Sequence, residues 1–197
     1  MLSERTEKLL KVLHQRQPDL TVILENVNDP HNISAVMRTC DAVGISELYV
    51  LNTKIARHEK FGPRSSSSAD KWVTIHQYEN LEECIDAVRK KYDFIFTTHL
   101  ATDAVSLYDL DLTRKLALVF GNEHSGCSEA IIGKADGNFI IPQAGIIQSL
   151  NISVACAVSI YEAYRQKKAV GHYDTCRLTE TMKNELMRSW KMYDLVK

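Results

Sequence analysis

Short apolar runs of β-type residues alternate with stretches of helical spacing along this chain, and that alternation leaves few architectures open. Leu20–Leu24 (LTVIL) reads as a buried strand and 25–32 (ENVNDPHN) as a polar turn. Apolar residues then recur at helical spacing from Ile33 to Val43, Gly44 ends that helix, and Glu47–Leu51 is a second strand. Strand, helix and strand in this order make a βαβ unit with parallel strands. The pattern continues with strands predicted at Trp72–Ile75, Phe94–Thr98, Leu116–Phe120 and Phe139–Ile141, and helices at Leu81–Lys90, Glu129–Lys134 and Ser149 to about Lys167. Strands that are apolar throughout are buried on both faces, so the expectation is an α/β fold, a parallel sheet with helices on both faces. Amphipathic helices flank it, residues 2–17 stopped by Pro18 and Glu180–Leu195 near the other end.

The net charge of −1 argues against a polyanion as partner, but its distribution argues otherwise. Residues 1–17 carry +2 and 165–197 carry +4, while 18–164 carry −7. Basic ends on an acidic body suit a catalytic domain whose terminal helices meet nucleic acid; plain solubility of surface helices is the competing reading. The five cysteines are scattered and never form a CxxC pair, and the histidines show no HxxxH spacing. Reduced thiols, a cytoplasmic location and no metal are therefore expected. No apolar run reaches the roughly 18 residues a membrane span needs, and the N-terminus has no leader-like apolar core. Residues 52–70 form a long polar loop with Lys54, Arg57, Lys60 and Arg64 against Glu59, which reads either as a disordered insert or as a functional loop.

In an open parallel sheet, ligands bind beyond the carboxyl ends of the strands. Here that rule selects the turn after Leu24, Thr98-His99-Leu100, the turn Gly121–Gly126 and the loop after Ile141, and it predicts one pocket built from all four. Ser149, Asn151 and Ser153 are expected in the first turn of the following helix, where unpaired N–H groups favour an anion; Ser149 or Asn151 also reads as an ordinary N-cap. Arg38 interrupts an apolar run as either a functional cation or a snorkelling surface residue. Glu123 reads as a catalytic acid/base or as a cap on the next helix. The Gly121–Gly126 turn is neither a dinucleotide fingerprint nor a phosphate-binding loop.

Three stretches taken together carry a resemblance. They are Asn32-x5-Arg38-Thr39-x-Asp41-Ala42-x-Gly44, Phe120-Gly121-Asn122-Glu123-x2-Gly126, and Ile141-Pro142-x2-Gly145-x2-Gln148-Ser149-Leu150-Asn151-x-Ser153-Val154-Ala155. In this order and spacing they resemble the motifs of the SpoU (TrmH-type) RNA ribose 2′-O-methyltransferases of the SPOUT superfamily. Arg16-Gln17-Pro18-Asp19-Leu20-Thr21-Val22, Pro30-His31-Asn32-x-Ser34-Ala35 and Thr98-His99-Leu100 resemble the branch that methylates the D-loop guanosine of tRNA at position 18. The resemblance covers residues 1 to about 168.

The resemblance implies S-adenosylmethionine as methyl donor, a homodimer, and a deep trefoil knot at about 117–165. It implies a basic N-terminal helix (1–17), a catalytic domain (18–168) and a short helical extension (169–197). By resemblance, Thr98, His99, Leu100, Gly121, Asn122, Ile141, Gln143 and Leu150 surround the donor. Arg38, Asn32, Glu123, Ser149 and Asn151 match the catalytic and substrate-positioning residues. Candidate tRNA contacts are Arg5, Lys8, Lys11, Arg16, Lys54, Arg57 and Arg64, with Lys183, Arg188 and Lys191 near the other end. Three competitors stay open at this point: an RNA-binding member without activity, a methyltransferase of another tRNA position or of ribosomal RNA, and a plain metabolic α/β enzyme.

Overall fold

A computed structural model of the protein describes residues 3–58, 69–101, 104–147 and 149–192. Seven strands form one sheet: β1 (Leu20–Glu25), β2 (Glu47–Leu51), β3 (Thr74–Tyr78), β4 (Phe94–Thr98), β5 (Val105–Ser106), β6 (Leu116–Phe120) and β7 (Gly137–Ile140). Their order is β3-β2-β1-β6-β4-β7-β5, and every pairing is parallel. The helices are α1 (Glu4–His14), α2 (Pro30–Ala42), α3 (Leu81–Arg89), α4 (Glu129–Ile132), α5 (Ile152–Ala169) and α6 (Glu180–Ser189).

The pleat sorts successive side chains onto opposite faces. Leu20, Val22 and Leu24 of β1 and Leu116, Leu118 and Phe120 of β6 join α2 and α5 in one core. Ile23, Ala117 and Val119 join α3 and α4 in the other. A buried strand with both faces covered is what the uninterrupted run LTVIL required. A third cluster unites the two ends of the described chain, with Leu9 and Leu13 of α1 packed beside Leu178, Trp190 and Met192.

The edge strands depart from expectation. β3 begins two residues later than predicted and ends three later, because the N–H groups of Trp72 and Val73 both bond to the Ala69 carbonyl and close the 3-10 turn Ala69–Lys71. As an edge strand it is only half covered, so its His76, Gln77 and Tyr78 carry no apolar signal. The two-residue β5, at the opposite edge, has no sequence signature. α5 begins at Ile152 rather than Ser149, with Asn151 as its N-cap.

Under the amino end of β2, Glu47 accepts hydrogen bonds from His76 Nε2, Lys91 Nζ, Tyr92 Oη and Tyr49 Oη. Burial alone would raise this carboxyl, but the hydrogen bonds from His76 and Lys91 outweigh it and hold it at about 2. A depressed carboxyl stabilises the fold above its unfolded pKa of about 4.3, and that stability is lost as pH falls through the folded value. Glu47→Gln should therefore cost about 2 kcal/mol at neutral pH, with the gap to wild type closing below pH ~4. Urea denaturation across this range checks it; a gap that is constant with pH would remove ionisation as the cause.

Candidate active site

The strand-end rule locates a cleft of about 620 Å³, a size usual for small-molecule sites. Thr98–Leu100 after β4, the Gly121–Gly126 turn after β6, Ile141 and Gln143 after β7, and Ser149–Ile152 before α5 form its walls. All eight residues expected around a donor line it: Thr98, His99, Leu100, Gly121, Asn122, Ile141, Gln143 and Leu150. The turn after β1 does not, which corrects the expectation of one pocket walled by four strand ends. That turn reaches the site through Glu123 instead.

The Gly121–Gly126 turn is closed by its own backbone. Asn122 and Gly126 exchange both N–H···O bonds, and Asn122 Oδ1 accepts from the N–H groups of His124 and Ser125. Asn122 Nδ2 ties the turn to the Asn26 carbonyl at 2.8 Å. A Cβ on Gly121 would lie 2.1 Å from the Gly126 carbonyl carbon, so only glycine allows this approach.

Glu123 projects from this turn onto α2. It accepts from Asn32 Nδ2 at 2.9 Å and from the backbone N–H groups of Asn28 and Asp29. Partial burial pushes its carboxyl up, but these hydrogen bonds outweigh it and the net shift is down. Glu123 is thus held as a carboxylate at the N-terminus of α2, where the helix dipole also favours negative charge. It caps no residue of the following helix, since α4 has Ser128 as its N-cap.

Asn32 donates to Glu123 and accepts, through Oδ1, from Asn151 Nδ2 at 3.3 Å. Asn151 Oδ1 meanwhile caps α5 by accepting from Ser153 N–H and Oγ–H. Both readings of Asn151 hold at once: it is an N-cap, and its remaining amide group joins the chain Asn151–Asn32–Glu123. Ser149 lines the cleft but lies three residues before α5, not in its first turn. Arg38 is exposed on α2 and is not among the residues lining the cleft of a single chain.

The basic candidates separate. Arg5, Lys8 and Lys11 are exposed on α1, and Lys54, Arg57, Arg188 and Lys191 are exposed elsewhere. Lys183 pairs with Glu180, and Arg64 lies outside the described residues. Arg16 is a correction, for its side chain is 0% exposed. Its guanidinium donates to Asp41 Oδ1 at 2.7 Å and to the carbonyls of Ile45 and Trp72, and it lies over the Trp190 ring. A cation enclosed in this way joins the terminal cluster to α2 and cannot reach a ligand. Residues the sequence did not single out include Glu25, which ends β1 and whose carboxylate accepts from Ser128 N–H and Oγ–H. The visible signal was a lone acidic residue closing an apolar run.

Among its described lining residues the cleft carries no Lys or Arg, combines apolar walls (Leu100, Ile141, Leu150, Ala155) with polar strand ends, and has one carboxylate at its margin. That lining fits a ligand with a positive centre and an aromatic base. A parallel sheet with a cleft of this kind at its strand ends defines an α/β protein built to hold a small ligand. Residues 19–161 match the model of the SpoU rRNA Methylase family, and the chain belongs to that family. It is 40% identical to the tRNA (guanosine(18)-2′-O)-methyltransferase of Thermus thermophilus, over 96% of this chain and 98% of that protein. The crystal structure of the A. aeolicus TrmH/SpoU tRNA modifying enzyme matches with a TM-score of 0.87 at 35% identity, covering 98% of each chain. The SpoU methyltransferase AviRb from Streptomyces viridochromogenes, in complex with the cofactor AdoMet, matches with a TM-score of 0.69 at 27% identity, over 79% of this chain and 62% of that one. SpoU methyltransferases use S-adenosylmethionine, and the cleft has the walls to hold it.

Proposed function

We propose that this chain transfers a methyl group from S-adenosylmethionine to the ribose 2′-OH of guanosine 18 in the D-loop of tRNA. The observation that carries the reading is the hydrogen-bonded chain Asn151–Asn32–Glu123 beside a cleft with no Lys or Arg among its described lining residues. When bound, S-adenosylmethionine supplies an electrophilic methyl group on a sulfonium centre. Thr98, Gly121, Ile141 and Leu150 hold it, with His99, Leu100, Asn122 and Gln143 completing the walls.

A ribose hydroxyl is a weak nucleophile and must lose its proton as it attacks. A guanidinium is a fixed cation rather than a base, so Arg38 serves toward the target's phosphate and the developing alkoxide, and the proton passes to solvent water. Its exposed position on α2 suits a substrate that arrives from solvent over the mouth of the cleft. Ser149, also exposed, holds the phosphate, and Asn32, Asn151 and Glu123 keep α2, α5 and the Gly121–Gly126 turn in register.

The reading includes a homodimer. Ile146 is 100% exposed, Ile147 72% and Leu100 69%, and Val154 and Tyr161 of α5 are about half exposed, so apolar side chains stand in solvent on the loops at the cleft and along α5. A second copy covering it would close the site from solvent. Light scattering at micromolar concentration should give twice the chain mass; a monomer would remove this part. We also place a trefoil knot at about 117–165, a catalytic domain over 18–168 between terminal helices, and the protein in the cytoplasm, where five unpaired thiols remain reduced.

The exposed bases of α1 (Arg5, Lys8 and Lys11) and Arg57 meet the tRNA backbone. Each phosphate contact removed should lower the slope of log K against log salt by roughly 0.7–0.9. A triple Arg5/Lys8/Lys11→Ala variant with an unchanged slope would remove α1 from the interface. The deciding experiment for the whole reading is radiolabelled methyl transfer to unmodified tRNA with the product nucleoside mapped. Label at guanosine 18 is expected; label in another RNA or at another ribose would overturn the substrate.

A further inference from the structure

Beside the cleft, across the Gly121–Gly126 turn, lies a second hollow of about 110 Å³. Asn122, Ser125 and Gly126 wall both spaces. The other walls come from the ends of β1 and β2 and from the segment after the turn, chiefly Glu25, Asn26, Asn28, Lys54 and Ser128. β1 is the strand at which the order of the sheet reverses, with β2 and β3 to one side and β6, β4, β7 and β5 to the other. The hollow thus stands at the switch point of the sheet, the usual place for a ligand in a fold of this kind. A single water needs roughly 10–15 Å³ of such space, so the hollow is several waters in size, enough for a flat heterocycle.

Its walls are built, not left over. Asn26 holds a left-handed backbone (φ 52°), and its Oδ1 accepts from the N–H groups of Thr53 and Lys54. That fixes the Lys54 backbone at the rim while the side chain stays exposed. Glu25 is 2% exposed; its two oxygens take Ser128 N–H and Oγ–H, and each retains a further lone pair. Asn28 is joined to the active site, because its N–H donates to Glu123, the residue that also holds Asn32.

We propose that this hollow receives the base of the target nucleotide and selects guanine; the inference rests on the tRNA reading above. Guanine presents N–H donors at N1 and N2 and acceptors at O6 and N7. The Glu25 carboxylate and the Asn28 side-chain oxygen meet the donors, and the Lys54 ammonium meets the acceptors. Adenine keeps N7 but puts an amino group in place of O6 and a bare N1 toward the carboxylate, so the ammonium loses one of its two acceptors and the carboxylate loses its donors. The same carboxylate makes the hollow unfit for a phosphate. A D-loop guanosine can be turned out of its stack, as sequence-specific recognition of loop bases requires, which would leave its ribose beside Asn32 and Glu123.

The test compares tRNAs carrying guanosine, inosine or 2-aminopurine riboside at the target position. Inosine lacks the 2-amino group, and 2-aminopurine lacks O6 and the N1 proton. Wild type should prefer guanosine at least tenfold over either in kcat/KM. Lys54→Ala, at an exposed side chain, should shrink the 2-aminopurine penalty at least threefold with donor affinity unchanged, and Glu25→Gln should shrink the inosine penalty. If Glu25→Gln does not fold, the Lys54→Ala comparison stands alone. Variants that lose activity equally on all three tRNAs overturn the assignment and make Lys54 a backbone contact. A wild type that binds donor yet methylates none of these tRNAs overturns the tRNA reading, and this inference with it.

Discussion

Arg38→Ala is expected to lower methyl transfer to tRNA by roughly 10²–10³-fold, the usual loss when one charge-stabilising group is removed from a reacting centre. Donor binding and folding should hardly change, since Arg38 lies on the exposed side of α2 and does not line the cleft. The comparison with Arg38→Lys separates a bare charge from a planar fork. A lysine keeps the charge but loses the bidentate geometry that a phosphate and an alkoxide share. Single-turnover transfer, with donor affinity measured alongside, reads both variants. Near wild-type turnover for Arg38→Lys would sink the proposed role.

Gly121→Ala should cost about 3 kcal/mol of stability and abolish donor binding together. The new Cβ would stand 2.1 Å from the Gly126 carbonyl carbon and 2.2 Å from Cys127 N, and backbone cannot rotate away as a side chain would. Relief requires the turn to open, and opening it breaks the Asn122–Gly126 pair, the bond from Asn122 to Asn26 and the hold of Glu123 on α2. Gly145→Ala is the control, because a Cβ there meets nothing within 4 Å. Denaturant unfolding and calorimetric titration with S-adenosylmethionine measure both effects. A Gly121→Ala protein with wild-type stability and affinity would show that the turn is not the rigid wall described.

The limits of β2, β4 and β6 are those the sequence predicted, because interior strands covered on both faces carry mostly apolar runs, whereas the interior β7 spans Gly137–Ile140 rather than Phe139–Ile141 because Gly137-Asn138 carries no apolar signal. β3 and β5 were misplaced or unseen because edge strands are half wet and carry no such requirement. At the site, the strand-end rule and the three motifs found the cleft walls and Asn32, Glu123 and Asn151. They did not find Glu25 or the hollow beside it. Arg16 was misassigned because a basic residue just past an amphipathic helix has the same pattern whether it faces water or not. Its enclosure depends on Asp41, Trp72 and Trp190, which no local window contains.

By itself the sequence determined which segments must be buried on both faces, and therefore the parallel sheet and the end of it where a ligand binds. Which strand ends share a pocket, which cations remain outside and which carboxylates are held ionised were decided only by the tertiary structure. The physical reason is range. Burial periodicity is repeated at every turn or second residue and can be read locally, whereas the bond from Asn32 to Glu123 joins residues 91 positions apart and exists only once the sheet has brought them together.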